Sequence, residues 1–157
     1  MRTLLFALFL TVFALAGQAA VVRLAPEFTF PGVGKMRTLK SLRGQPVVLL
    51  IAKSSNERAF KKQVKYLHEI YQQFASKQVV FVAAVREGEA VIQSDVPFTV
   101  ANNGAAVADA YGVQGGFNLV IIGKDGNVDY QTPKVCPPER IRDVIQNSFA
   151  IQAPARN

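Results

Sequence analysis

Cysteine and histidine are almost absent from this 157-residue chain, which contains one of each, Cys136 and His68. A single cysteine cannot form a disulfide within the chain, so the hydrophobic core alone must stabilise the fold. Zinc sites built from cysteine and histidine need three or four such ligands, and we therefore expect no metal and no cofactor. A catalytic cysteine–histidine pair would require both of these residues.

Long apolar stretches are also missing beyond the N-terminus, so we expect no membrane span in the rest of the chain. Residues 1–19, MRTLLFALFLTVFALAGQA, combine an arginine, a short apolar core and small terminal residues. This pattern is typical of a cleaved secretory signal peptide, with a retained membrane anchor as the alternative. We expect an exported protein, periplasmic or extracellular, in which residues 20–157 form a single domain.

Acidic residues are scarce where basic residues are concentrated. The formal net charge is +7, and nine of the 18 lysines and arginines lie in residues 35–65 beside one acid, Glu57. This segment is either a solvated helix face or a surface for an anionic ligand or polyanion. No interleaved aromatic residues or nucleic-acid motifs accompany it, so specific nucleic-acid recognition is not expected. The expected partner is a protein or an anionic ligand.

Hydrophobic patterning in the first half of the chain predicts two strands and one long helix. Two continuous apolar runs, residues 46–52 and 79–85, are typical of strands buried on both faces. Between them, apolar residues at alternating spacings of four and three form one helical face: Phe60, Val64, Leu67, Tyr71 and Phe74. Buried strands joined through a helix imply a parallel pair with a right-handed crossover.

The second half of the chain predicts two helices around a hairpin. Gly112 is suited to end a short helix, Asp125-Gly126 is a strong hairpin turn, and Pro137-Pro138 begins the last helix. Residues 22–44 are expected to be extended, with turns. The predicted class is α/β, with a mixed sheet covered by helices on both faces. The predicted order of elements is β-α-β-α-β-β-α. The last four of these elements are residues 102–111, 119–122, 128–131 and 137–149.

Four segments in this order resemble the thioredoxin-like fold in its redoxin branch, which contains peroxiredoxin-like (AhpC/TSA-like) and extracytoplasmic thioredoxin-like proteins. They are LAPEFTFP, LKSLRGQPVVLLIA, PFTVANNGAAVADAYGV and LVIIGKDGNV. The resemblance covers most of residues 24–149 and implies a three-layer sandwich with a mixed central sheet flanked by helices. It also implies thiol–disulfide or peroxidase activity.

The chain departs from this family at the catalytic positions. Ser54 and Ser55 match the position of the catalytic cysteine, and Arg58 lies near that of a resolving cysteine. Phe117 stands where thioredoxin-like members have a cis-proline, and no arginine occurs between residues 86 and 140. The resemblance therefore implies a degenerate active site. Two further stretches, AFKKQVKYL and FNLVIIGKDGNVDYQ, are similar to an extracellular peroxiredoxin-like domain of unknown function that also lacks the cysteine.

Ser54 and Glu57 have the S-x-x-E spacing of a capping box, and we expect Ser54 to cap the long helix. A serine nucleophile is not supported, because the only histidine lies 13 residues beyond Ser55, roughly 20 Å along the helix. His68 is interpreted as a residue at the edge of the apolar face. Glu87, Glu89 and Asp95 are interpreted as parts of a solvated loop.

Three functions remain open. The favoured hypothesis is a non-catalytic binding or interaction module. The second is a one-cysteine redox protein that uses Cys136, since a thiol near a helix N-terminus can be reactive, although an inert or dimer-forming thiol is favoured. The third is an anion or polyanion binder through the first helix. The candidate binding residues are Lys53, Ser55, Asn56, Arg58, Lys61 and Lys62.

Overall fold

A computed structural model describes residues 23–74 and 78–151; the predicted signal segment lies outside this part of the chain. Within these ranges, no helix is both long enough and apolar enough to span a bilayer. A 3₁₀ helix occupies Leu39–Leu42. The other elements are β1 (Thr29–Pro31), β2 (Met36–Thr38), β3 (Val47–Ala52), α1 (Arg58–Phe74), β4 (Val80–Val85), β5 (Phe98–Val100), α2 (Gly104–Ala110), β6 (Asn118–Ile122), β7 (Val128–Thr132) and α3 (Pro138–Ile151).

The central sheet is mixed, as predicted. Its strand order is β5-β4-β3-β6-β7. β3 pairs parallel with β4 and antiparallel with β6, and β4 pairs parallel with β5. The predicted closing hairpin is confirmed by the antiparallel pairing of β6 with β7.

β3 lies at the centre of the sheet, and all six of its residues are buried. Because successive side chains point to opposite faces, Val47, Leu49 and Ile51 contribute to one apolar cluster, with α2 and the N-terminal segment. The alternate residues contribute to a second cluster, with α1 and α3. The sheet is therefore covered on both sides, and the carboxyl end of β3 points toward the loop that precedes α1.

The expected extended segment 22–44 contains a small antiparallel hairpin of β1 and β2. β5 was not predicted either. Each of these strands has three residues, which is too short to show a clear period-two pattern. The short helix is confirmed but begins later than predicted, at Gly104, where the side chain of Asn103 accepts a bond from the Ala106 amide. Gly112 follows this helix with a φ of 70°, which favours glycine.

Gln63 is a polar residue inside the apolar face of α1, and it is fully buried. Its side-chain oxygen accepts a hydrogen bond from the Cys136 amide at 2.7 Å, and its side-chain nitrogen donates to the Cys136 carbonyl at 3.0 Å. Buried polar groups are costly unless they are paired. This pair of hydrogen bonds therefore fixes the segment before α3 against the middle of α1.

We predict that Gln63→Leu destabilises the fold by about 2–4 kcal/mol, because it leaves the amide and carbonyl of Cys136 buried without partners. Gln72→Leu is the matched control, since Gln72 is exposed on the same helix, and its effect should stay within about 0.5 kcal/mol. Urea unfolding followed by circular dichroism measures both. Equal effects of the two substitutions would show that the hydrogen bonds of Gln63 do not stabilise the fold.

Candidate functional site

The loop between β3 and α1 makes a tight turn before the helix begins. The Glu57 amide donates to the Ser54 carbonyl at 3.2 Å, and the Asn56 amide donates to the Ser54 hydroxyl at 3.2 Å. The first helical bond runs from the Lys61 amide to the Glu57 carbonyl at 3.0 Å. The predicted capping box is therefore wrong: the helix begins three residues later than expected, because Ser54 stabilises a turn and not the helix itself.

Ser55 is buried, with 5% of its surface exposed. Its hydroxyl donates to the backbone carbonyl of Glu89 at 3.4 Å, a long contact for a hydroxyl donor. A carbonyl oxygen cannot act as a general base, and His68 instead lies 3.9 Å from Asp95. At this position the structure provides a hydroxyl directed at the next loop, without the activating base that a serine nucleophile needs.

The loop after β4 is tied to the loop after β3. The Arg86 amide donates to the Ala52 carbonyl at 3.0 Å, and the Glu87 amide donates to the Lys53 carbonyl at 2.9 Å. An ion pair of 3.7 Å joins the exposed side chains of Lys53 and Glu87. Glu87, Glu89 and Asp95 are exposed, as the interpretation of a solvated loop expects, but the start of this loop is held against the loop after β3, and Lys53 already has an acidic neighbour.

Phe117, at the expected cis-proline position, is buried against the cluster beneath α1. No peptide bond in the described ranges is cis. Just before it, the carbonyls of Gln114 and Gly115 each accept a bond from the Arg86 guanidinium at 3.3 Å. A Cβ added at Gly116 would lie 3.3 Å from the carboxylate of Glu57. The loop that carries a catalytic proline in the redoxin resemblance is therefore held here by an arginine and lies against an acid.

From the sequence, Arg86 was not predicted to be a site residue; it only marked the start of the stretch without arginine that ends at residue 140. The signal that could have marked it is its place directly after a buried strand, at the edge of an α/β sheet where functional groups tend to lie. Its guanidinium is committed to two carbonyls, so it serves to position the loop.

Cys136 lies on the same side of the sheet as α1 but in the core, with 3% of its surface exposed. Burial raises the pKa of its thiol, while a hydrogen bond to Tyr130 and the charge of Arg140 act in the opposite direction. Reactive cysteines have a depressed pKa and some exposure. The location therefore favours the protonated, unreactive thiol.

A groove runs along the outer side of α1, between this helix and the segment that follows β4. Its first part has a volume of about 370 Å³ and is lined by Ser55, Asn56, Phe60, Lys61, Val64, Val91, Ile92 and Gln93. A second part, of about 510 Å³, shares Lys61, Val64 and Gln93 and continues to His68 and Asp95. We call both parts together the α1 groove.

The structure brings three of the predicted binding residues together, because Ser55, Asn56 and Lys61 line the α1 groove. The other predicted residues are not among its lining residues: Arg58 is exposed, and Lys62 lies over the ring of Tyr66 at 5.6 Å. The apolar wall formed by Val91 and Ile92 was missed, because nothing in the sequence shows that this loop folds back beside α1. Within the described ranges, no three His, Cys, Asp or Glu side chains are arranged to hold a metal ion.

A five-stranded mixed sheet between three helices, with a serine loop at the end of the central strand, defines a thioredoxin-like fold of the redoxin branch. The chain belongs to the AhpC/TSA family, whose model matches residues 21–131. No curated protein matches the sequence significantly.

Solved structures agree with this fold. A putative thiol:disulfide interchange protein DsbE from Chlorobium tepidum is 21% identical, with a TM-score of 0.69 over 82% of this chain and 96% of its own. Peroxidoxin BcpB from Mycobacterium tuberculosis is 16% identical, with a TM-score of 0.63 over 84% and 97%. The exposed lipoprotein thioredoxin Etrx1 from Streptococcus pneumoniae is 20% identical, with a TM-score of 0.57 over 78% and 99%. At these identities the likeness establishes the fold.

We predict that the Cys136 thiol reacts slowly with a disulfide reagent such as DTNB in the native protein and rapidly after unfolding, because burial protects it and raises its pKa. The raised pKa also affects stability. The unfolded thiol ionises near pH 8.5, so stability is fully present below this value and falls as the pH rises toward the folded pKa.

Urea unfolding between about pH 7 and pH 10 should therefore show a steeper loss of stability in the wild type than in Cys136→Ala. Stopped-flow absorbance measures the labelling rate. Labelling of the native protein as fast as that of the unfolded protein, or identical pH slopes, would contradict the prediction.

Proposed function

We propose that this protein is an exported thioredoxin-fold protein that has lost thiol–disulfide and peroxidase chemistry and acts as a binding or interaction module. One observation carries the proposal: where the redoxin resemblance expects the catalytic cysteine the chain has Ser54 and Ser55, and the buried Ser55 hydroxyl has a backbone carbonyl at 3.4 Å as its hydrogen-bond partner. A serine hydroxyl needs a neighbouring base to become nucleophilic, and the described surroundings of Ser55 provide only a carbonyl acceptor.

The thiol of Cys136 is poorly placed to take over the role of the family's catalytic cysteine. Cys136 is buried and its backbone is fixed by Gln63. Thiol–disulfide exchange requires a thiolate and access to it, and both are disfavoured at this position. The one-cysteine redox hypothesis is therefore less well supported than the binding hypothesis.

Export is supported by the N-terminal sequence pattern. It agrees with the description of one structural neighbour as an exposed lipoprotein thioredoxin. The binding hypothesis is supported by the α1 groove, since concave surfaces lined by apolar side chains and a few polar groups are typical ligand sites.

Activity assays test the absence of redox chemistry. We expect the protein without residues 1–19 to show neither insulin reduction nor peroxide consumption above background, and Cys136→Ser to behave identically. Activity that disappears in Cys136→Ser would establish the one-cysteine redox protein. Activity that persists in Cys136→Ser would establish chemistry at another group. Either result would overturn the proposal.

Anion or polyanion binding by α1 is the second candidate. Lys61, Lys62 and Lys65 are exposed on this helix, and none takes part in the ion pairs found among the described residues. Such binding should weaken steeply with salt, because it depends on charge and on the release of counterions. Retention on immobilised heparin, measured as eluting salt for wild type and Lys62→Gln, tests it. Weak retention that is insensitive to salt would exclude this candidate.

A further inference from the structure

The outer wall of the α1 groove is a segment whose backbone has few hydrogen-bond partners. From residue 89 to residue 94 the side chains alternate between exposed and half-buried. The Val91 amide bonds to the Glu89 carbonyl at 3.1 Å and closes a γ-turn at residue 90, so the period-two alternation describes an extended conformation only from residue 91 onward. Yet these residues belong to neither sheet of the described structure.

The backbone of this wall is largely unpaired. Only one of the amides of residues 90–94, that of Val91, donates a hydrogen bond, to the Glu89 carbonyl at 3.1 Å. Within the part of the chain that the structure describes, the carbonyls of residues 90–94 accept none. A row of free amides and carbonyls in an extended segment is a template for pairing with another strand.

The floor and wall of the groove provide apolar contacts at the same place. Phe60 and Val64 are buried at its base, and Ile92 is half-buried. Val91 is a large apolar side chain with 66% of its surface exposed. A groove with free backbone groups on one side and apolar side chains beneath is suited to an extended chain, because alternate side chains of that chain would reach the floor.

The charged residues along the groove indicate which kind of extended partner segment would bind there. Lys61 lines both parts of the groove and Lys65 lines the second part. The first part has no acidic lining residue, and the one acid in the second part, Asp95, lies 3.9 Å from His68. Glu89 is exposed at the start of the wall, so the positive charge lies along the α1 side of the groove, and this side complements acidic groups of a partner.

We propose that the α1 groove binds an extended segment of another protein in which apolar and acidic residues alternate. The segment pairs its backbone with residues 91–94, places apolar side chains over Phe60 and Val64, and directs carboxylates to Lys61 and Lys65. The stretch of α1 along the groove, residues 58–68, measures roughly 15 Å. This length accommodates about four or five extended residues. The proposal rests on the proposed binding function and gives it a partner class.

A designed peptide tests the proposal. The probe is a fluorescein-labelled, C-amidated peptide of sequence Leu-Glu-Leu-Glu-Leu-Glu, compared with a peptide that has lysine for glutamate and with one that is N-methylated at every residue, so that both edges of the extended chain are blocked. Fluorescence anisotropy measures affinity. We expect the acidic peptide to bind at least about tenfold more tightly than either of the other two, because the lysine peptide carries the opposite charge and the methylated peptide has no amide hydrogens to donate.

Substitutions on one helix separate the groove from general charge. Lys61→Glu should weaken binding of the acidic peptide at least about tenfold, whereas Lys62→Glu, the same change in charge outside the groove, should weaken it less than about threefold. Val91→Glu should weaken it as strongly as Lys61→Glu. All three positions are exposed, so the variants are expected to fold, and circular dichroism checks this.

Several results would overturn the inference. Absence of binding by the acidic peptide, or equal binding by the methylated peptide, would exclude strand pairing. Equal losses in Lys61→Glu and Lys62→Glu would assign binding to overall charge. If the peptide does not bind and Val91→Glu abolishes a concentration-dependent dimer in analytical ultracentrifugation, the occupant is a second copy of the chain. Redox activity in the assays above would instead overturn the proposed function, independently of peptide binding.

Discussion

The complete burial of β3 is the constraint on which the rest of this structure depends. The strand is hydrogen-bonded on both edges and covered on both faces, so its position and register are fixed. The segments at its carboxyl end are therefore held in place as well. They are the turn at Ser54, the start of α1, and the loop after β4, whose amides bond to the carbonyls of Ala52 and Lys53. The candidate site is thus built from loops, but the loops are anchored to the most rigid strand.

A second constraint comes from Gln63. An apolar residue at this position would let α1 pack, but it could not satisfy the buried amide and carbonyl of Cys136. Because Gln63 satisfies both groups, it holds the inner side of α1 against the segment that leads into α3. The inner side of the helix is therefore closed, and the side that faces residues 89–94 is the one on which a groove remains.

Much of the fold could be predicted from the sequence because its central elements have strong and distinct periodicity. β3 and β4 are continuous apolar runs, α1 has a regular apolar face, and the turn at Asp125-Gly126 allows few alternatives. The three-residue strands were missed because they are too short to show a period-two pattern.

The site was harder to predict than the fold. Ser54 and Glu57 have the spacing of a cap, but spacing does not reveal that the chain turns once more before the helix. Likewise, the groove depends on a loop folding back beside α1. The contacts that fix that loop involve backbone carbonyls, which leave no mark in the pattern of side chains.

Ser55 connects the proposed loss of redox chemistry with the groove. Its hydroxyl reaches the carbonyl of Glu89, the residue at which the extended wall of the groove begins. A thiol is a weak hydrogen-bond donor, so cysteine at this position would hold the wall less well, and an ionised thiolate could not donate at all. The wall is held best by a residue that donates a hydrogen bond, whereas a reactive thiol must be ionised and cannot donate one. Under the proposed function, serine favours the groove at the position where the redoxin resemblance expects a cysteine, because its hydroxyl can donate to the wall of the proposed binding surface.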